Sequence, residues 1–179
     1  QRLFAGLSGD PRLEAMFNGT IRCLAAQGYF PKNIDAVLDT TDNEATPSYQ
    51  TDDGRAVPLV RREKRPDVRA NRHAKKVEVT VYGWKVWVVW EATSRIPLSI
   101  CLDDINVADN AYALGVLRQA VANVAGHAVM RSVALDRGFL DGKLLSAIER
   151  DGIFVYIPAK ANLNIAKDAR EIARRAAEQ

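Results

Sequence analysis

Apolar residues along this chain recur with two periods, and the alternation between them predicts its elements. Leu13, Met16, Phe17, Ile21 and Leu24 recur at helical spacing within residues 8–28. Asp10 stands where a cap belongs, Pro11 suits the first helical position and Gly28 follows the end. Residues 33–40 are an apolar run bounded by turn signals, the pattern of a buried strand. Residues 41–76 are polar and carry Pro47, Gly54, Pro58 and Pro66, so they read as a long excursion with a short strand at 56–60. Residues 77–104 are rich in Val, Trp, Thr and Ile. Runs at 77–90 and 97–102 predict an antiparallel pair turning at Thr93-Ser94-Arg95, and Tyr82-Gly83-Trp84 is a place where the first run can split.

The second half of the chain alternates helices and strands. A helix over 109–125 has Asp109 or Asn110 as its cap, Leu114, Leu117, Val121 and Val124 on one side, and Gly126 at its exit. A strand over 129–135 follows. Next comes a helix over 142–151, capped by Asp141, with Leu144, Leu145 and Ile148 inward and Gly152 at its end. Residues 153–157 read as a short buried strand stopped by Pro158, and 165–179 as an amphipathic helix through Ile165, Ala169, Ile172 and Ala176. The strand–helix–strand unit implies parallel pairing with a right-handed crossover, and the hairpin before it implies antiparallel pairing. The expected fold is therefore α/β, a mixed sheet with helices on its faces.

Two aspartates close apolar runs: Asp39 in Val37-Leu38-Asp39-Thr40-Thr41, and Asp136 in Ala134-Leu135-Asp136-Arg137-Gly138. If their strands are parallel neighbours, about 4.8 Å apart, both carboxylates stand at one sheet edge. Oxygen ligands of this kind suit Mg2+ or Mn2+, and a cation relieves the repulsion between them. Metal ions bound there serve phosphoryl transfer without histidine or cysteine. A second reading stands beside this one. Asp at a strand end is often a turn residue, with Asp39 bonding the Thr41 amide and Asp136 capping a turn through Gly138.

Composition narrows the chemistry further. The 179 residues suit one domain, and 47% hydrophobic content is enough for a core. Two histidines, His73 and His127, support neither zinc nor a histidine triad. Cys23 and Cys101 have no metal-ligand spacing and read as small buried side chains. With no signal pattern and no apolar stretch near the roughly 18 residues of a membrane span, a cytoplasmic location with no membrane partner is expected. The chain begins with Gln1 and ends inside a helix-like segment, so it reads as a piece of a longer protein. Net charge is only +3, but residues 61–76 hold eight Lys or Arg against Glu63 and Asp67. That block, with Arg61, Arg62, Lys64 and Arg65, is a candidate phosphate-binding surface or else a solvated loop. Lys85 and Lys160 are candidate phosphate contacts too, and Lys85 equally reads as an exposed strand residue. Of Trp84, Trp87 and Trp90, the outer two share one strand face and Trp87 takes the other, which favours core packing.

Five stretches in order resemble the DDE transposases of bacterial insertion sequences. They are Asp39-Thr40-Thr41, Tyr82-Gly83-Trp84-Lys85-Val86-Trp87, Arg95-Ile96-Pro97-Leu98, Asp104-Ile105-Asn106-Val107-Ala108-Asp109, and Leu135-Asp136-Arg137-Gly138-Phe139. The resemblance covers about residues 33–160. It implies a ribonuclease H-like mixed five-stranded sheet with helices on both faces. It divides the chain into a helical segment, 1–32, and a catalytic core, 33–179, with the basic excursion at 41–76. It implies metal-dependent DNA cleavage and strand transfer. Asp39 and Asp136 stand as catalytic and metal-binding carboxylates using Mg2+ or Mn2+, and Arg137 joins the DNA-binding candidates. The partner implied is double-stranded DNA, with a homodimer in the full-length protein. The family's third carboxylate has no match in its usual sequence context: Glu149 comes too early, Glu171 lacks that context, and the ligand is expected beyond Gln179. Trp87 replaces the family's histidine. Two other classes compete: an inactive DNA-binding module on the same scaffold, and a phosphohydrolase forming an aspartyl phosphate on Asp39. The second lacks the usual aspartate two residues on, where Thr41 stands.

Overall fold

The computed structural model describes residues 11–45, 60–66, 76–158, 171, 174 and 175. Helix α1 spans Pro11–Ala26, and the chain leaves it through Gly28 at φ 78°. Four strands follow: β1 (Asn33–Ala45), β2 (Val60–Pro66), β3 (Lys76–Glu91) and β4 (Pro97–Asp104). Then come α2 (Asn110–Val124), β5 (Val129–Leu135), a single 3-10 turn (Arg137–Phe139), α3 (Gly142–Arg150) and β6 (Phe154–Tyr156).

All six strands join one sheet. Five lie side by side as β4-β3-β1-β5-β6, and β2 adds to β3 as a sixth. β1 is antiparallel to β3 and parallel to β5, and β6 runs parallel to β5. This is the mixed sheet expected from the sequence, with β2 added. In β1, Ile34, Ala36 and Leu38 are buried while Asp35, Val37 and Asp39 are exposed, the two-residue alternation of a half-covered strand. The buried set joins Ile21 and Ala25 of α1, Leu117 and Val124 of α2, and Leu144 and Ile148 of α3 in one core. On the other face Val37 sits opposite Trp90. The helix expected over 165–179 lies outside the described residues, apart from 171, 174 and 175.

Several boundaries and faces differ from the sequence reading. β1 does not stop at residue 40. It runs to Ala45, because β3 continues to pair with it as far as Ala45 opposite Tyr82. The polar excursion is thus partly sheet, and Arg61, Arg62, Lys64 and Arg65 lie in strand β2, paired with β3 along its first half. β3 does not split at Gly83. That glycine adopts φ 152°, and a Cβ on it would stand 2.1 Å from the Asn43 carbonyl oxygen, so the missing side chain lets β1 and β3 approach without a break. Met16 is exposed, because the buried stripe of α1 runs through Asn18, Ile21 and Ala25. Cys23 is exposed and Cys101 half-buried; burial pushes the Cys101 thiol up to about 11. β6 is an edge strand with Phe154 and Tyr156 largely exposed, where a buried one was expected. Trp87 is wholly buried, as its strand face predicted. No described helix is long and apolar enough to cross a membrane.

Candidate active site

The site begins where β1 and β5 part. Their parallel register ends at Leu38 opposite Leu135. Asp39 and Asp136 are therefore the next residues on two neighbouring parallel strands. Beyond this point β1 stays bonded to β3, Asp39 lying opposite Val88, while β5 ends and turns. One flank of Asp39 is thus left open. Both aspartates are exposed, as a strand edge requires.

Each carboxylate accepts from a nearby backbone amide. Asp39 Oδ1 accepts from the Thr40 amide at 2.8 Å, not from Thr41. Asp136 Oδ1 accepts from the Gly138 amide at 2.7 Å, the contact foreseen in the turn-residue reading. The remaining oxygens are the kind of donor a hard cation takes. Both side chains offer only oxygen donors, the type Mg2+ or Mn2+ takes, and among the described residues no group of three metal-binding side chains gathers. Glu171, the late helical glutamate, is engaged by Arg174 at 2.9 Å and Arg175 at 3.0 Å, and hydrogen bonds from Arg174 and then Arg175 hold its pKa below the usual value.

Lys85 is neither an exposed strand residue nor turned toward solvent. It is 6% exposed, and its Nζ donates to Asp109 Oδ1 at 2.6 Å and to the Val107 carbonyl at 2.7 Å. Its charge is committed inside the protein. Asp109 in turn does not cap α2 with its side chain, because its carboxylate is bonded to Lys85 instead. The backbone carbonyl of Asp109 accepts from Trp87 Nε1 at 2.7 Å. Gly138 is packed between carboxylates: a Cβ there would lie 2.9 Å from Asp136 Oδ1 and 3.2 Å from Asp109 Oδ2. Sequence reasoning saw Asp109 only as a motif position and a helix cap. The signal it held was a lysine two residues before a tryptophan on one strand face, both pointing at that helix start.

Arg137 is exposed directly after Asp136. Lys160 and the side chains of Arg61, Arg62, Lys64 and Arg65 lie outside the described residues. A cavity of about 440 Å³ lined by Arg118, Met130, Asp151 and Ile153 sits at the other end of β5, away from both carboxylates. The candidate site lies where the β1–β5 pairing ends, outside that cavity.

The sequence model of the transposase DDE domain matches residues 36–179. The chain belongs to this family. Membership bears out the transposase DDE domain expected from the five motifs. Among solved structures, a piggyBac transposase, seen by cryo-EM in a synaptic complex with hairpin DNA, is similar at 13% identity with a TM-score of 0.39. The similarity covers 73% of this chain and 24% of that one, so this transposase domain spans about a quarter of that structure's chain. No curated protein matches it.

Proposed function

We propose that this transposase domain cuts DNA strands and transfers a 3′ end to a target, with Asp39 and Asp136 as the carboxylates that hold Mg2+ or Mn2+. The observation that supports this reading is the register: the β1–β5 pairing ends at Leu38 and Leu135, one residue before each aspartate. A bound cation supplies activation of a water or 3′-hydroxyl and stabilisation of the leaving oxygen. The chain's own groups do the rest. The Thr40 and Gly138 amides orient one oxygen of each aspartate, leaving the other toward the edge. Arg137, exposed and next to Asp136, meets a phosphate there, and the basic residues of β2 with Lys160 extend the DNA surface. The DNA is double-stranded, and the domain acts as part of a homodimer on paired ends.

Calorimetric titration with Mg2+ or Mn2+ tests the carboxylates. Asp39→Ala and Asp136→Ala are each expected to weaken binding at least about tenfold and to abolish strand cleavage, with the fold unchanged by circular dichroism. Binding that is equal in wild type and the double variant would remove the metal reading. DNA binding that persists without any metal-dependent cleavage would favour the inactive DNA-binding module.

A further inference from the structure

Two buried polar contacts converge on the segment beside Asp136, and the proposed chemistry uses neither. Lys85, 6% exposed, brings an ammonium into the protein and donates to Asp109 Oδ1 and the Val107 carbonyl. Trp87, fully buried, donates its indole N–H to the Asp109 backbone carbonyl. The Lys85 ammonium lies 5.8 Å from the Trp87 ring centre, within cation–π range. Asp109 is thus fixed through both its side chain and its main chain by two residues of β3.

The free side of that carboxylate faces Asp136. Asp109 Oδ2 and Asp136 Oδ1 approach one point, the place a Cβ on Gly138 would occupy, at 3.2 and 2.9 Å. Left alone, two carboxylates this close repel, and the repulsion would turn the Asp136 side chain away. The Lys85 charge offsets one of the two. We propose that Lys85 and Asp109 are positioning residues for Asp136: the pair fixes the Asp136-Arg137-Gly138 turn and so holds the Asp136 carboxylate in the orientation that meets its cation. This rests on the reading above, in which Asp136 is a metal ligand.

Mn2+ affinity, read from the electron paramagnetic resonance signal of the free ion, separates the two ideas. In the 179-residue chain, Asp109→Asn keeps the shape of the side chain and loses its charge. Lys85→Met keeps the length of the stem and leaves Asp109 unbalanced. Gly138→Ala puts a methyl group between the carboxylates. Each is expected to weaken Mn2+ binding about tenfold, the usual effect of removing a group that orients a metal ligand. Asp136→Asn is the reference and is expected to weaken it further. If Asp136→Asn binds Mn2+ like wild type, the metal reading itself fails, and the inference with it. If Asp136→Asn loses binding while Asp109→Asn keeps it, the metal reading stands and the positioning role is overturned. A lower melting temperature for Asp109→Asn with unchanged Mn2+ affinity also overturns it, since the pair would then serve the fold alone.

Discussion

At the scale of single residues, both buried charges among the described residues, Lys85 and Glu91, are hydrogen-bonded. Glu91 is 1% exposed, yet it closes the β3–β4 turn by accepting from the amides of Thr93 and Ser94. Burial by itself raises its pKa, but the Ser94 and Thr93 hydrogen bonds prevail and hold the carboxyl below its ordinary value. A carboxylate more acidic in the folded state adds stability above its unfolded pKa and loses it as pH falls through the folded one. Glu91→Gln is therefore expected to cost about 2 kcal/mol at pH 7, as loss of hydrogen bonds to a charged group does. The gap between variant and wild type should narrow as pH falls below the usual carboxylate range, and melting curves between pH 7 and pH 3 check this. Sequence gave no hint of the role: Glu91 follows Trp90 as one more polar residue at a strand end. Lys85 is the same lesson, because a strand pattern assigns a face and not the partner waiting there.

At the scale of elements, β3 organises the sheet. Its second half pairs with β1 on one side and β4 on the other, and its first half pairs with β2. Gly83 lies within that strand, where the β1 backbone comes so close that no side chain fits. Gly83→Ala combines a disfavoured φ with contact against main chain, and is expected to cost about 2–4 kcal/mol. Chemical denaturation measures it, and an alanine variant as stable as wild type would contradict the close approach. The helices were more legible than the strands. Asp141 caps α3, accepting from the Lys143 and Leu144 amides at 2.9 Å each, and Gly126 and Gly152 leave α2 and α3 with positive φ. Capping is local chemistry, readable from a few consecutive residues. Strand ends depend on a partner far away in sequence, which is why β1 outran its apolar run.

At the scale of the whole molecule, one core joins the three described helices to the sheet, and the edge proposed to meet DNA lies past Leu38 and Leu135, where the β1–β5 pairing ends. The basic residues of β2 are the test of how far that surface extends. Replacing Arg61, Arg62, Lys64 and Arg65 by Glu is expected to weaken duplex binding and to flatten its salt dependence by about three to four units of slope. Fluorescence anisotropy across a salt series reads this, and an unchanged slope would remove β2 from the DNA surface. The bland role of such a strand is also physical, since charged residues on a sheet margin discourage pairing with other chains. The sequence by itself determined the elements, their alternation and the two aspartates, because hydrophobic period, caps and turn residues act over a few positions. Only the tertiary structure decided that β1 and β5 are parallel neighbours in the register that sets Asp39 beside Asp136. It also decided that Lys85 turns inward to Asp109 and that a side chain at Gly138 would crowd the Asp136 and Asp109 carboxylates. Those outcomes follow from contacts between segments up to about a hundred residues apart, where burial and pairing are settled by the whole fold and no local pattern records them.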